Sequence, residues 1–329
     1  MGAQAAPVSA QPGAQKMTPL QPSQPGGGSA GAGAPSAGVG AGGAGNGGNG
    51  MAGASAAAPQ TGQWIELLKG TWQLTPGEET YYCVRKTVTE DLYIHGFRAI
   101  APTGTHHTVL SIGAPSGADG IAACGILGAG SNAPNMIFGS GVGTGEFVFP
   151  DGIALKVPAG QQLLSNLHLF NSSTQPLSGE SGNDALIVSQ DQAKYLADNM
   201  LAGPTLFSIP ADGQPTTITG HCTMDANVKI FAVQPHMHLL ATHQKVVAET
   251  SGGDVVLHDG DYTFDNQIYY TVMPAPVDLQ AGQAVRIECT YVNNTGAAVG
   301  FGESTTNEMC LASVYRYPAS GAGHVICSR

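Results

Sequence analysis

Short runs of apolar residues, each interrupted by Gly, Pro, Asn or Asp, recur throughout residues 62–329. Runs rich in Val, Ile, Leu, Tyr and Thr between such turn residues predict β-strands. Representative runs cover residues 81–84, 153–157, 228–233, 284–289 and 311–315. Residues 191–200 instead have the composition of a short helix that ends before Gly203-Pro204. Many short strands with so little helix predict an all-β fold of antiparallel sandwiches or jelly rolls.

A similar turn occurs once in each half of this β-rich region. Ala159-Gly160-Gln161 precedes one predicted strand, and Ala281-Gly282-Gln283 precedes another. The repeat fits two tandem antiparallel β-sandwich domains of like plan that divide near residue 187, residues 62–186 and 187–329.

Residues 1–61 have a different composition. They contain no aromatic residue, no cysteine and a single charge, Lys16, and consist mostly of Gly, Ala, Pro, Ser and Gln. Such a segment buries too little apolar surface to offset the entropy of ordering, so we predict a disordered tether. The chain shows no transmembrane segment, since no apolar window is long enough, and we expect any leader peptide to lie upstream or to have been removed.

The charge balance narrows the choice of partners. The chain has 12 Lys and Arg against 23 Asp and Glu, a net charge of -11, and no basic run. An acidic surface of this kind argues against nucleic acid and anionic membrane as partners.

The cysteines are even in number and none are spaced as Cys-x-x-Cys. They are Cys83, Cys124, Cys222, Cys289, Cys310 and Cys327. This pattern disfavours a zinc knuckle and favours disulfides, hence an extracytoplasmic location that is secreted, periplasmic or surface-tethered. Buried free thiols are the alternative, and spacing alone does not determine the pairing.

Two histidines, His236 and His238, follow the apolar run 228–233. Residues i and i+2 of a strand point to the same side, so both imidazoles can bind one ion. Imidazole suits zinc, copper, iron or nickel. The alternative is two hydrogen-bonded histidines at the end of a strand.

Further candidate ligands are His106, His107, His168 and Met309. Neighbouring residues of a regular strand face opposite ways, so His106 and His107 can share an ion only at a kink or bulge. Methionine is usually core filler, but copper, especially Cu(I), makes good use of a thioether beside imidazoles. A His₃ site alone is also compatible with zinc.

The ordered motifs resemble those of the copper type II, ascorbate-dependent monooxygenases over essentially all of residues 62–329. They are Glu79-Thr80-Tyr81-Tyr82-Cys83, His106-His107, Leu167-His168, Pro235-His236-Met237-His238 and Glu308-Met309-Cys310. The resemblance implies two jelly-roll domains with one copper each, facing each other across a solvent-filled cleft. It also implies three bridges: Cys83 with Cys124, Cys222 with Cys327, and Cys289 with Cys310.

The resemblance assigns a role to each of the two copper ions. The copper on His106, His107 and His168 relays electrons, and the copper on His236, His238 and Met309 binds O₂ and performs the catalysis. The implied function is hydroxylation of a C–H bond of a small-molecule substrate with O₂ and a one-electron reductant such as ascorbate. A non-catalytic secreted copper-binding or scaffold protein with the same fold is the alternative.

The substrate pocket departs from one family member. The peptidylglycine enzyme holds a peptide carboxylate with an Arg and a Tyr, at positions that are Gln234 and Ser313 here, with Leu311 between them in place of Asn. A carboxylate requires charge-assisted partners. We therefore expect a pocket near Gln234, Leu311 and Ser313 for a neutral or cationic molecule, and no activity on C-terminal glycine peptides.

Overall fold

A computed structural model describes residues 62–125, 135–141, 143–302 and 304–320, and the backbone of residues 324–326. Within these ranges the secondary structure is entirely strand and turn, which confirms the predicted all-β fold. The predicted tether, residues 1–61, lies outside the described residues. None of the described residues forms a helix long and apolar enough to cross a membrane.

The described part of the chain forms 22 strands. The first eleven are β1 (Gln63–Leu74), β2 (Glu79–Thr87), β3 (Leu92–Ile100), β4 (Thr105–Gly113), β5 (Gly120–Ala123), β6 (Asn135–Ser140), β7 (Phe147–Val148), β8 (Ile153–Val157), β9 (Gln162–Phe170), β10 (Leu177–Val188) and β11 (Tyr195–Gly203). The others are β12 (Ser208–Ile209), β13 (Pro215–Thr223), β14 (Val228–His236), β15 (Ala241–Thr250), β16 (Gly253–Asp261), β17 (Tyr270–Thr271), β18 (Val277–Leu279), β19 (Ala284–Val292), β20 (Val299–Gly300), β21 (Leu311–Tyr317) and β22 (His324–Ile326).

One long sheet runs through both halves of the chain. Its main order is β1-β10-β3-β8-β11-β21-β14-β17, and β8 and β11 join the halves as a parallel pair. A five-stranded sheet, β5-β2-β9-β4-β6, contributes to the core of the first half, and a four-stranded sheet, β13-β19-β15-β16, to that of the second. A small pair, β12-β20, stands apart.

Two large apolar cores fill the spaces between these sheets. The first contains Trp72, Phe97, Leu110 and Phe138, and also Tyr315 from the second half of the chain. The second is built from residues of the second half alone. Because Tyr315 packs into the first core, the two halves are coupled by burial of apolar surface and also by the long sheet. The division at residue 187 remains a prediction.

The cysteines of each half form one bridge among the described residues. Cys83 is bonded to Cys124, and Cys289 to Cys310, as the resemblance implied. Cys327 lies outside the described residues, so its pairing with Cys222 remains a prediction.

The helix predicted for residues 191–200 is wrong. Ser189 and Gln192 form one of the two contacts of a capping box at a helix N-terminus, since the Ser189 N–H donates to Gln192 Oε1. The chain then enters β11, which pairs with β8 on one side and β21 on the other. Two rows of sheet hydrogen bonds override the local helical signal.

The two Ala-Gly-Gln turns have the same structure. Gly160 and Gly282 have φ angles of 84° and 86°, a region that glycine adopts without steric cost. The N–H of Gly160 donates to Val88 O, and that of Gly282 donates to Met224 O. This equivalence supports a like plan for the two halves.

Side chains of the second half also cover the edge strand β6. The four contacts are Asn199 Nδ2–H to Met136 O at 3.2 Å, Tyr315 O–H to Ile137 O at 2.7 Å, Tyr269 O–H to Gly139 O at 2.8 Å, and Gln234 Nε2–H to Gly139 O at 3.3 Å. The Gly139 N–H donates back to the Tyr269 hydroxyl at 3.0 Å. Side chains of the second half thereby satisfy backbone N–H and C=O groups along the edge strand β6, which would otherwise be left without partners.

Replacing Tyr269 by Phe tests this contact between the halves. Tyr269→Phe keeps the stacking on Phe147 but leaves the N–H and C=O of Gly139 without the hydroxyl. We expect the free energy of unfolding to fall by about 1–3 kcal/mol, measured by chemical denaturation. The neighbouring change Tyr270→Phe is the matched control. Equal stability of the two variants would contradict the prediction.

Candidate metal centres

Three histidines from two adjacent strands form the first cluster. His106 and His107 lie at the start of β4, and His168 lies on β9, paired with His107. The register between β4 and β9 shifts between Thr105 and His107, which marks a β-bulge at His106. A bulge lets two neighbouring residues face the same side of a strand, so His106 and His107 can share one ion, as the sequence analysis required.

The Nδ1 atoms of this first cluster converge. His106 Nδ1 lies 3.2 Å from His107 Nδ1 and 3.1 Å from His168 Nδ1. The three candidate ligand atoms all lie within 4.8 Å of one another. A metal–nitrogen bond of about 2.0–2.1 Å places neighbouring ligand nitrogens roughly 3 Å apart, so the spacing fits one ion.

Two residues of β2 set the orientation of the His168 ring. Tyr81, its partner across the strands, stacks on it at 4.4 Å with an interplanar angle of 5°. His168 Nε2–H donates to Glu79 Oε1 at 2.6 Å. A neutral imidazole has one N–H and one lone pair, so this bond directs the Nδ1 lone pair at the cluster.

Burial keeps the neighbouring rings neutral. Desolvation, followed by the like charge of His168, lowers the pKa of His106. The same two causes lower the pKa of His107 well below its ordinary value. Neutral imidazole is the form that binds a metal.

The second group is the pair His236 and His238. His236 ends β14, and the two rings lie 5.5 Å apart at 90°. His236 Nδ1–H donates to Gln267 Oε1, and His238 Nδ1–H donates to Asn307 O, both at 3.0 Å. The Nε2 atom of each ring is therefore left as the potential ligand. Burial, followed by the charge of His238, lowers the pKa of His236 to about 4.

A buried carboxylate connects this pair to the segment that carries Met309. Glu308 Oε2 accepts from His238 N–H at 2.9 Å, and Oε1 accepts from Leu240 N–H at 2.6 Å. Burial raises the pKa of Glu308 to about 7 although the backbone N–H groups oppose the shift. On the other side of Met309, Cys310 is fixed by its disulfide, and the Met309 carbonyl accepts from the Tyr291 hydroxyl at 2.7 Å.

The predicted pocket residues are all buried. Gln234 is 4% exposed, Leu311 7% and Ser313 1%. The Gln234 amide donates to Gly139 O and to Gln267 O. The Ser313 hydroxyl has no hydrogen-bond partner among the described residues. Their assignment to a substrate pocket remains a prediction.

Sequence reasoning assigned no role to the residues that orient the rings. Glu79 lies within a recognised motif, but its contact with His168 spans 89 positions. Gln267 and Phe264 come from a segment with no motif of its own. Their positions depend on the packing of distant strands, which no local pattern encodes.

The fold and these clusters define a disulfide-bonded β-sandwich protein with two groups of neutral histidines that could each bind a metal ion. Residues 195–328 match the sequence model of the copper type II ascorbate-dependent monooxygenase, C-terminal domain. Over these residues the chain is similar to the copper type II ascorbate-dependent monooxygenase family.

Several curated relatives match a larger part of the chain. The human and mouse proteins called DBH-like monooxygenase protein 2 are 26% and 25% identical to it over 201 and 202 residues, and mouse DBH-like monooxygenase protein 1 is 27% identical over 203. Each alignment covers 56% of this chain, but only 40% of the human relative and 33% of the two mouse relatives. The solved structure of infectious bursal disease virus, Gx strain, covers 75% of the chain at 10% identity and a TM-score of 0.18, too low to bear on fold or function.

Removing the carboxylate behind His168 should weaken the first cluster. Glu79→Gln replaces a charge-assisted acceptor with a neutral one, and a change in such an outer partner typically costs about 10–100-fold in metal affinity. Copper affinity is measured by competition with a chromophoric chelator. Glu90→Gln, at an exposed position, is the control. Unchanged affinity in Glu79→Gln would contradict the role of this contact.

Proposed function

We propose that this protein is a copper-dependent monooxygenase with two mononuclear copper sites. It uses O₂ and an external one-electron reductant such as ascorbate to hydroxylate a C–H bond of a small organic substrate. The observation that carries the proposal is the presence of two histidine groups, in which His168, His236 and His238 each have one ring nitrogen bonded to an outer acceptor. The family supports copper as the metal.

The first site consists of His106, His107 and His168. Three imidazoles from two paired strands give a rigid donor set, and Glu79 fixes the tautomer of the third. A site of this kind suits storage and transfer of an electron, because its ligands need not rearrange.

The second site consists of His236, His238 and Met309. Two imidazoles and one thioether leave an open coordination position, and soft sulfur favours Cu(I). When bound there, copper would supply the chemistry that activates O₂ toward a C–H bond. The chain's part is to hold both rings neutral, which burial does, and oriented, which Gln267 and the Asn307 carbonyl do.

We also propose that the protein works outside the reducing cytoplasm. The bridges Cys83–Cys124 and Cys289–Cys310 support this location, because disulfides persist in oxidising compartments.

Copper content and turnover of a methionine variant test the two-site proposal. We expect two copper ions per chain and O₂ consumption that depends on copper, ascorbate and a C–H substrate. Met309→Ile should abolish O₂ consumption yet retain copper at the three-histidine site, because isoleucine offers no ligand. The control is Met273→Ile, at a methionine that is 77% exposed.

Three outcomes would contradict this assignment. They are full turnover in Met309→Ile, stoichiometric zinc in place of copper, and bound copper without any O₂ consumption. The last outcome would favour the non-catalytic copper-binding alternative.

We further expect that C-terminal glycine peptides are not substrates. Gln234, Leu311 and Ser313 offer no cation, and loss of a charge-assisted contact removes about 1.5–3 kcal/mol of binding. A glycine-extended peptide, its C-terminally amidated form and a phenethylamine are assayed under identical copper, O₂ and ascorbate. The two peptides should be equally poor substrates. Saturable hydroxylation of the free-acid peptide alone would show that the pocket binds a carboxylate.

A further inference from the structure

One segment, residues 262–267, lies against both histidine groups. It is called the bridging segment below. At its start the Tyr262 hydroxyl donates to Met237 O at 2.7 Å and accepts from Met237 N–H at 3.1 Å. At its end Gln267 Oε1 accepts from His236 Nδ1–H. Both ends are thus bonded to the loop that carries His236 and His238.

Phe264, in the middle of the bridging segment, contacts one histidine of each group. Its ring centroid lies 5.3 Å from that of His106, with an interplanar angle of 31°. It lies 6.2 Å from that of His238, at 85°. Among the described residues, no other aromatic side chain outside the two groups has ring contacts with histidines of both.

The backbone at Phe264 is held by the amide that also orients His236. Gln267 Nε2–H donates to Phe264 O at 3.0 Å, and Asn266 N–H donates to Thr263 O at 3.0 Å. The Gln267 carbonyl accepts from Thr144 Oγ1–H, in the first half of the chain. The ring therefore has a fixed position relative to His236 and to the first half.

The two histidine groups are linked through Phe264, whose ring contacts His106 of the first group and His238 of the second. Phe264 brings no lone pair and no charge into the space between the groups. Its ring contacts both groups without supplying a ligand that they could share.

We propose that Phe264 is a positioning residue whose ring, packed on His106 and His238, fixes the separation of the two copper centres and keeps each one mononuclear. This inference rests on the proposed function, since it requires a copper ion in each group. The ring thereby sets the distance over which an electron passes from one centre to the other.

The separation can be measured without turnover. Wild type, Phe264→Ala, Phe264→Tyr and the control Tyr195→Ala are each loaded with Cu(II), and copper is counted per chain. The dipolar interaction between the two Cu(II) ions is then recorded by electron paramagnetic resonance. Tyr195 is 53% exposed and its ring contacts Tyr317 rather than either group.

We expect all four proteins to bind two copper ions. Phe264→Tyr and Tyr195→Ala should keep the wild-type dipolar interaction, because a ring still lies between the groups. Phe264→Ala should show a shifted or broadened interaction. It should also show a fall in kcat of about 10²-fold with little change in KM, the effect that a misplacement of 1 Å can have.

Each contrary result has a distinct meaning. An unchanged dipolar interaction in Phe264→Ala would overturn the inference and leave the proposed function standing. Loss of copper from that variant would also overturn it, because Phe264 would then belong to the folding of one site. Fewer than two copper ions in wild type would overturn the proposed function and this inference together.

Discussion

The geometry of both candidate centres depends on the hydrogen bonds that His168, His236 and His238 make through their outward nitrogens. Glu79 accepts from His168 Nε2–H, and Gln267 accepts from His236 Nδ1–H. Since a neutral imidazole has a single N–H, each bond leaves one defined lone pair for a metal. The inward atom is consequently Nδ1 for His168 and Nε2 for His236. The same ring type thus serves two differently shaped sites.

These outer partners are positioned by strand register. Tyr81 lies opposite His168 across β2 and β9, and Glu79 lies two residues along the same strand. A slip of one residue between these strands would turn both side chains to the other face of the sheet. On β14, Gln234 lies two residues before His236. Its amide donates both to Gly139 O of β6 and to Gln267 O. The contact between the halves and the second centre therefore form one hydrogen-bonded network.

Sequence patterns predict the features that are local. The short apolar runs predicted the all-β class. Strand periodicity predicted that His236 and His238 approach each other, and their rings do lie 5.5 Å apart, but His238 lies beyond the end of β14. The sequence showed that His106 and His107 could share an ion only at a bulge, but it could not show that the bulge exists, since the register of β4 against β9 depends on both strands. The helix at residues 191–200 failed because sheet pairing overrode a genuine helix-start signal at Ser189. Glu79, Phe264 and Gln267 could not be predicted because distant elements bring them to the histidines.

The two centres also differ in how firmly the chain holds their ligands. The first has three stiff imidazoles, two of them on one bulged strand. In the second, Glu308 on one side and the disulfide at Cys310 on the other fix the backbone around Met309, whose side chain is long and flexible. A Gln at position 308 could not replace the carboxylate, because one of its two polar atoms would meet a backbone N–H as a donor. The buried carboxyl group of Glu308 therefore fixes the position of the loop, and the thioether is the one adjustable group among the proposed ligands. A rigid donor set beside an adjustable one is the asymmetry that the proposed division between electron storage and O₂ chemistry requires.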